Sequence, residues 1–166
     1  MTGSALEPSA QQDPVAPLGA PAPDFTLTNQ HGELVRLSTL RGSPVLVVFF
    51  PAAFTGVCTG ELRALRQHQP DFDALGARLL AISTDTMFAL RVFSDSEQLT
   101  FPLLSDFWPH GAVAQAYGVF DFELGSARRA SFVVDAGGTI RWSVLSEISK
   151  ARDVADQLAA VAAEGG

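Results

Sequence analysis

Apolar and polar positions along the chain fall into three patterns. Val45-Leu46-Val47-Val48-Phe49-Phe50 is an unbroken apolar run bounded by Pro44 and Pro51, the pattern of a strand covered on both faces. Arg78-Leu79-Leu80-Ala81-Ile82-Ser83 reads the same way, and Leu103-Leu104 is a shorter strand candidate. Alternating runs, DFTLT from Asp24 and ELVRL from Glu33, flank Asn29-Gln30-His31-Gly32, which is turn chemistry and predicts an opening hairpin. Ser131 to Val134 and Thr139 to Val144 flank Asp135-Ala136-Gly137-Gly138 and predict a second hairpin.

Between these runs the apolar period lengthens. Leu62, Leu65, Phe72 and Leu75 recur at helical spacing and predict a helix over about 57–74. Met87, Leu90 and Phe93 predict another over 86–96, Pro109 suits the first turn of a helix running through Tyr117, and an Ala-rich segment predicts a terminal helix over about 151–163. Strands alternating with helices, then a closing hairpin and helix, predict an α/β sandwich around a mixed central sheet, an order that a thioredoxin-like fold satisfies. The first 20 or so residues, rich in Pro, Ala, Ser and Gln, have little to bury and read as a disordered arm, so the expected division is an arm over 1–18 and one domain over 19–166.

Charge narrows the function. Eighteen acidic against eleven basic residues give a net charge of −7 with no basic cluster, which disfavours nucleic acid as a partner. No apolar run is long enough to cross a bilayer. Glu7 and Asp13 stand where a secretory leader carries Lys or Arg, so the expected compartment is the cytosol. His31, His68 and His110 form no metal-ligand spacing, and neither a metal nor a cofactor is expected.

Cys58 is the one cysteine, so the chain can form no internal disulfide, and any thiol redox chemistry needs a second molecule. It stands where the central strand feeds a helix, within Pro51-Ala52-Ala53-Phe54-Thr55-Gly56-Val57-Cys58-Thr59-Gly60-Glu61. Helix N-termini present unpaired N–H groups and a positive dipole end, which favour a thiolate over a thiol. The hydroxyl of Thr55 can meet a substrate oxygen, and Pro51 can keep water from one side of the sulfur. Attack of sulfur on a peroxide oxygen leaves negative charge on the departing oxygen. Fixed donors aimed at such charge contribute about 3–4 kcal/mol each. Arg129, ahead of the strand Ser131 to Asp135, is the candidate cation; Arg128 beside it points to the other face of an extended strand.

These residues carry a resemblance. Pro51-x-x-x-Thr55-x-x-Cys58, with Glu61 three residues on, resembles the active-site motif of peroxiredoxins; Gly19 to Phe25 resembles their entry to the first strand, and Arg129-Ala130-Ser131-Phe132 their Arg-x-Thr/Ser-Phe segment. Ser105 to Ala112 followed by Ala116 to Phe120 is most similar to the AhpE group of one-cysteine alkyl hydroperoxide reductases. The resemblance implies a thioredoxin fold, Cys58 as the peroxide-attacking cysteine, Thr55 and Arg129 activating peroxide, Pro51 shielding the pocket, and Glu61 orienting Arg129 or a neighbour. It also implies reduction of hydrogen peroxide and organic hydroperoxides through a sulfenic acid at Cys58. An external thiol, either mycothiol with a glutaredoxin-like protein or thioredoxin, then resolves that intermediate. A homodimer or higher homo-oligomer is implied as well. No Tyr-Phe arm follows the terminal helix, so the basis of easy overoxidation in some relatives is expected to be missing. The competing readings are a monothiol thiol–disulfide transferase and a noncatalytic thioredoxin-like module in which Cys58 only packs.

Overall fold

The structure is a computed structural model and describes residues 13–164. Nine strands form in chain order: β1 (Thr26–Asn29), β2 (Leu34–Arg36), β3 (Val45–Phe49), β4 (Arg78–Ser83), β5 (Leu103–Ser105), β6 (Phe120–Asp121), β7 (Ser126–Ala127), β8 (Arg129–Val134) and β9 (Ile140–Ser146). The helices are α1 (Gly56–Gln67), α2 (Gln69–Ala74), α3 (Met87–Glu97), α4 (Ala112–Ala116) and α5 (Val154–Glu164), with one 3₁₀ turn over Leu37–Leu40.

Seven strands make one mixed sheet in the order β2-β1-β5-β4-β3-β8-β9, with β6 and β7 a separate ribbon. The β3–β4 and β4–β5 pairs are parallel, as strands joined by crossover helices require, while β8 runs antiparallel to β3. The expected mixed α/β sheet flanked by helices is what forms. All five residues of β3 are buried, and they alternate between two apolar cores. Leu46 and Val48 face Leu62 and Leu65 of α1, Phe72 of α2, Phe93 of α3 and Val161 of α5. Val45, Val47 and Phe49 face Phe132, Tyr117, Phe25 and Ala114 on the other side. Each large side chain withdrawn from water in this way contributes roughly 1.5–3 kcal/mol.

The structure departs from the sequence expectations at element ends. The helix expected over 57–74 is two helices broken at His68, because Pro70 has no N–H to carry the ladder onward and sits instead in the first turn of α2. The helix expected from Pro109 starts only at Ala112. The chain turns into it at Gly111 (φ +71°), and its second and third N–H groups, from Val113 and Ala114, donate to the buried Asp106 carboxylate. The terminal helix begins at Val154, which leaves Arg152 ahead of it. Of the expected arm, residues 1–12 lie outside the described residues, and 13–18 pack on the domain rather than standing free. Ala16 donates to the Tyr117 carbonyl at 3.0 Å, and Val15 and Ala16 join the second core. Gly118 (φ +72°) makes room for that segment, since a Cβ there would stand 2.0 Å from the Pro14 carbonyl oxygen.

Candidate active site

The site forms where three distant stretches converge at the C-terminal end of β3. This end is where helix N-termini and strand-exit loops meet in an open α/β sheet. After Phe49 the chain passes through Phe50, whose N–H still donates to Ile82 of β4, and enters the loop 51–55. Pro51 is buried, and Phe54 adopts a left-handed backbone (φ +70°), uncommon for a residue with a side chain. Thr55 then begins α1 as its N-cap by position. Its hydroxyl donates to the Ala52 carbonyl at 2.8 Å instead of capping the helix.

Cys58 lies in the first turn of α1, fully buried. Arg129 reaches it from the first position of β8, the strand paired directly with β3: Nη1 donates to Cys58 Sγ at 3.4 Å. The same nitrogen donates to Glu61 Oε1, and Nε and Nη2 donate to the Ile148 carbonyl at 3.1 and 2.6 Å. The guanidinium is thereby fixed by two partners, the Ile148 carbonyl and Glu61, with Nη1 shared between Glu61 and the sulfur. Glu61 stands one turn after Cys58 and is 6% exposed, not the solvated first-turn acid that its position on a helix would otherwise imply.

Arg152 completes the cluster, and nothing in the sequence pattern singled it out. Its backbone N–H and Nε donate to Glu61 Oε2 at 2.5 and 2.8 Å, and its Nη2 to Oε1 at 2.8 Å. Its Nη1 donates to the carbonyls of Phe49 and Ala130 at 2.7 and 2.8 Å and to the Ser131 hydroxyl at 3.1 Å, so it also ties β3 to β8 beside the site. Every hydrogen-bonding face of Glu61 is thus occupied by arginine. Burial alone would raise the Glu61 carboxyl. The hydrogen bonds and charge of Arg152, with the charge of Arg129, outweigh it and hold the group below its ordinary 4.5. Two guanidiniums against one carboxylate leave one net positive charge beside the sulfur.

Outside this cluster an open cleft of about 420 Å³ leads to Arg129, walled by Pro51, Thr55, Val57, Leu124 and Ile148 among others. All five residues singled out in the sequence, Cys58, Thr55, Arg129, Pro51 and Glu61, therefore meet at one place. Arg128 does not join them: it is half-buried, just ahead of β8. Phe49 and Phe50 are core, whereas Phe54 and Trp108 are 58% and 81% exposed. Among the described residues no group of three or more His, Cys, Asp or Glu side chains is placed to hold a metal ion, and no helix is long and apolar enough to cross a membrane.

Comparison with known proteins agrees with this geometry. The AhpC/TSA family profile matches residues 18–143. The chain is 49% identical over 150 residues to alkyl hydroperoxide reductase E of Mycobacterium tuberculosis, covering 88% of this chain and 98% of that one. Among solved structures, peroxidoxin BcpB of Mycobacterium tuberculosis superposes with a TM-score of 0.79 at 34% identity, over 88% of this chain and 96% of that one. AhpC of the same organism gives 0.82 at 27% identity, over 90% and 98%. With a profile match spanning most of the fold, and a thiol, a hydroxyl and a buried guanidinium gathered at one helix start, the chain belongs to the AhpC/TSA family of thiol peroxidases, the peroxiredoxins.

Proposed function

We propose that the protein reduces hydrogen peroxide and organic hydroperoxides by a one-cysteine cycle at Cys58. The observation that carries this reading is the Arg129 guanidinium, donating to Cys58 Sγ at 3.4 Å at the foot of an open cleft. The Cys58 thiolate attacks the terminal oxygen of the hydroperoxide along the O–O axis. The S–O bond forms as the O–O bond breaks, and the departing alkoxide takes a proton to leave as an alcohol, or as water from hydrogen peroxide. Arg129 and the Thr55 hydroxyl hold the two peroxide oxygens in line, and the Arg129 guanidinium stabilises the negative charge that develops. Pro51 keeps bulk water off the sulfur, and Glu61 holds Arg129 in place.

The product is a sulfenic acid at Cys58. With one cysteine in the sequence, an external thiol displaces water from it to give a mixed disulfide, and a second thiol restores Cys58 and leaves as part of a disulfide. We take the reductant to be a low-molecular-weight thiol such as mycothiol acting with a glutaredoxin-like protein, or else thioredoxin, in a cytosolic setting. Exposed Phe88, Phe107 and Trp108, which line one cleft, give the molecule an apolar face suited to pairing with a second copy. Sedimentation velocity is expected to report a homodimer or larger assembly that Trp108→Glu shifts toward monomer.

Stopped-flow mixing with hydrogen peroxide and with a lipid hydroperoxide, followed by dimedone trapping and intact-mass measurement, tests the chemistry. One dimedone adduct per chain is expected, absent in Cys58→Ser, with oxidation orders of magnitude faster than that of a free thiol. Oxidation no faster than a free thiol overturns the reading.

A further inference from the structure

The loop 51–55 contains one peptide group gripped at both ends. The carbonyl of Ala52 accepts the Thr55 hydroxyl at 2.8 Å, and the N–H of the same peptide, on Ala53, donates to Asp85 Oδ2 at 2.9 Å. Asp85 lies between β4 and α3 and is itself held: the fully buried Ser83 donates its hydroxyl to Asp85 Oδ2 at 2.7 Å, and Ser105 donates to the Asp85 carbonyl at 2.6 Å. The very next residue after Ala53 is Phe54, in its left-handed conformation and packed edge-on against Phe93 at 5.1 Å. A backbone in that region persists only where its surroundings dictate it.

We propose that Asp85 is a positioning residue for Thr55, acting through the peptide that joins Ala52 to Ala53. The carboxylate fixes the tilt of that peptide plane, and the tilt sets where the Ala52 carbonyl points. The carbonyl takes the Thr55 hydroxyl hydrogen and so leaves the oxygen lone pairs of Thr55 turned outward to receive the hydrogen of an incoming hydroperoxide. A carboxylate on the N–H also polarises the peptide and strengthens its carbonyl as an acceptor, which couples the two hydrogen bonds. This rests on the reading of Thr55 as a peroxide-activating residue.

A double-mutant cycle tests it, with the second-order rate of Cys58 oxidation by hydrogen peroxide as readout and the thermal midpoint measured in parallel. Asp85→Ala is expected to slow oxidation about tenfold in the wild-type background. In a Thr55→Val background, where no hydroxyl remains to be positioned, it is expected to change the rate less than twofold. If Asp85→Ala does not fold, Asp85→Asn serves in the same cycle, since it removes the charge that draws both donors to one oxygen; a severalfold loss confined to the Thr55 background is expected. An equal loss in both backgrounds, or no loss in either, overturns the role of Asp85. A wild-type rate untouched by Thr55→Val instead overturns the reading of Thr55, and the proposal with it.

Discussion

Glu61 and Arg63 lie two residues apart on the same helix, and each is ion-paired, yet they do opposite work. Arg63 meets Glu97 at the surface, where the Arg63 side chain is 54% exposed and that of Glu97 15%, so solvent reaches the pair and screens it. Glu61 meets Arg129 and Arg152 with side chains 2–4% exposed, where water is no alternative partner. The difference follows from helical periodicity. Glu61 shares the inward stripe of α1 with Cys58, Leu62 and Leu65, while Arg63 points away from it. A charge kept on the inward stripe is costly to bury, so its persistence there is explained by what it holds: the cation beside Cys58.

Predictions that break or sharpen this contrast differ widely in size. Arg129→Met removes the donor to Cys58 and is expected to slow peroxide oxidation by one or more powers of ten, each tenfold equivalent to about 1.4 kcal/mol; stopped-flow kinetics read it. Glu61→Leu leaves two buried guanidiniums without a counter-charge and is expected to cost about 3–5 kcal/mol of stability, measured by denaturant unfolding. A loss under about 1 kcal/mol would mean that the carbonyls around Arg152 alone suffice to satisfy the cluster.

Acid offers a gentler cut. Because the folded-state value of Glu61 lies below its ordinary 4.5, the stability it contributes is complete above that ordinary value and is lost as pH falls through the folded one. The stability gap between wild type and Glu61→Gln is therefore expected to shrink below about pH 4.5, and a gap constant down to about pH 3 would show that shape, not charge, matters at this position. Asp106 works with the opposite sign. Burial outweighs its hydrogen bonds from Ala114 and Val113 and raises its carboxyl, so its contribution is present at low pH and lost as pH rises through the raised value. For that reason the paired variant, not the whole acid-unfolding curve, isolates Glu61. The smallest effect belongs to the surface: Arg63→Ala is expected to leave both the oxidation rate and the melting temperature within measurement error.

The sheet was largely legible because its strands announce themselves locally. The run 45–50 and the run 78–83 map onto β3 and β4 almost residue for residue, and the hairpin around Asp135 to Gly138 needed only its turn chemistry. The convergence of the five expected residues was legible because four of them crowd into eleven positions and Arg129 opens the Arg-x-Ser-Phe segment that becomes the start of β8. Arg152 and Asp85 left no such trace. Arg152 meets Glu61 across 91 residues of sequence, and Asp85 meets Ala53 across 32, so their partners are set by sheet order and not by any local period. The ribbon of β6 and β7, two residues each, is too short to show alternation, though its Ser126 and the neighbouring Leu124 line the cleft. The break at His68 was readable from Pro70, and the apolar period running across it concealed the stop.

The separation of 71 residues between Cys58 and Arg129 has a consequence for the birth of the molecule. At about 5–20 residues per second of synthesis, the thiol precedes its guanidinium by several seconds, and Arg152 comes later still. Throughout that interval the emerging chain carries a cysteine with none of the cations that make the site. The cation cluster beside the sulfur is thus completed only once β8 and the segment ahead of α5 have emerged, and a ribosome-bound fragment ending before β8 carries Cys58 with neither guanidinium.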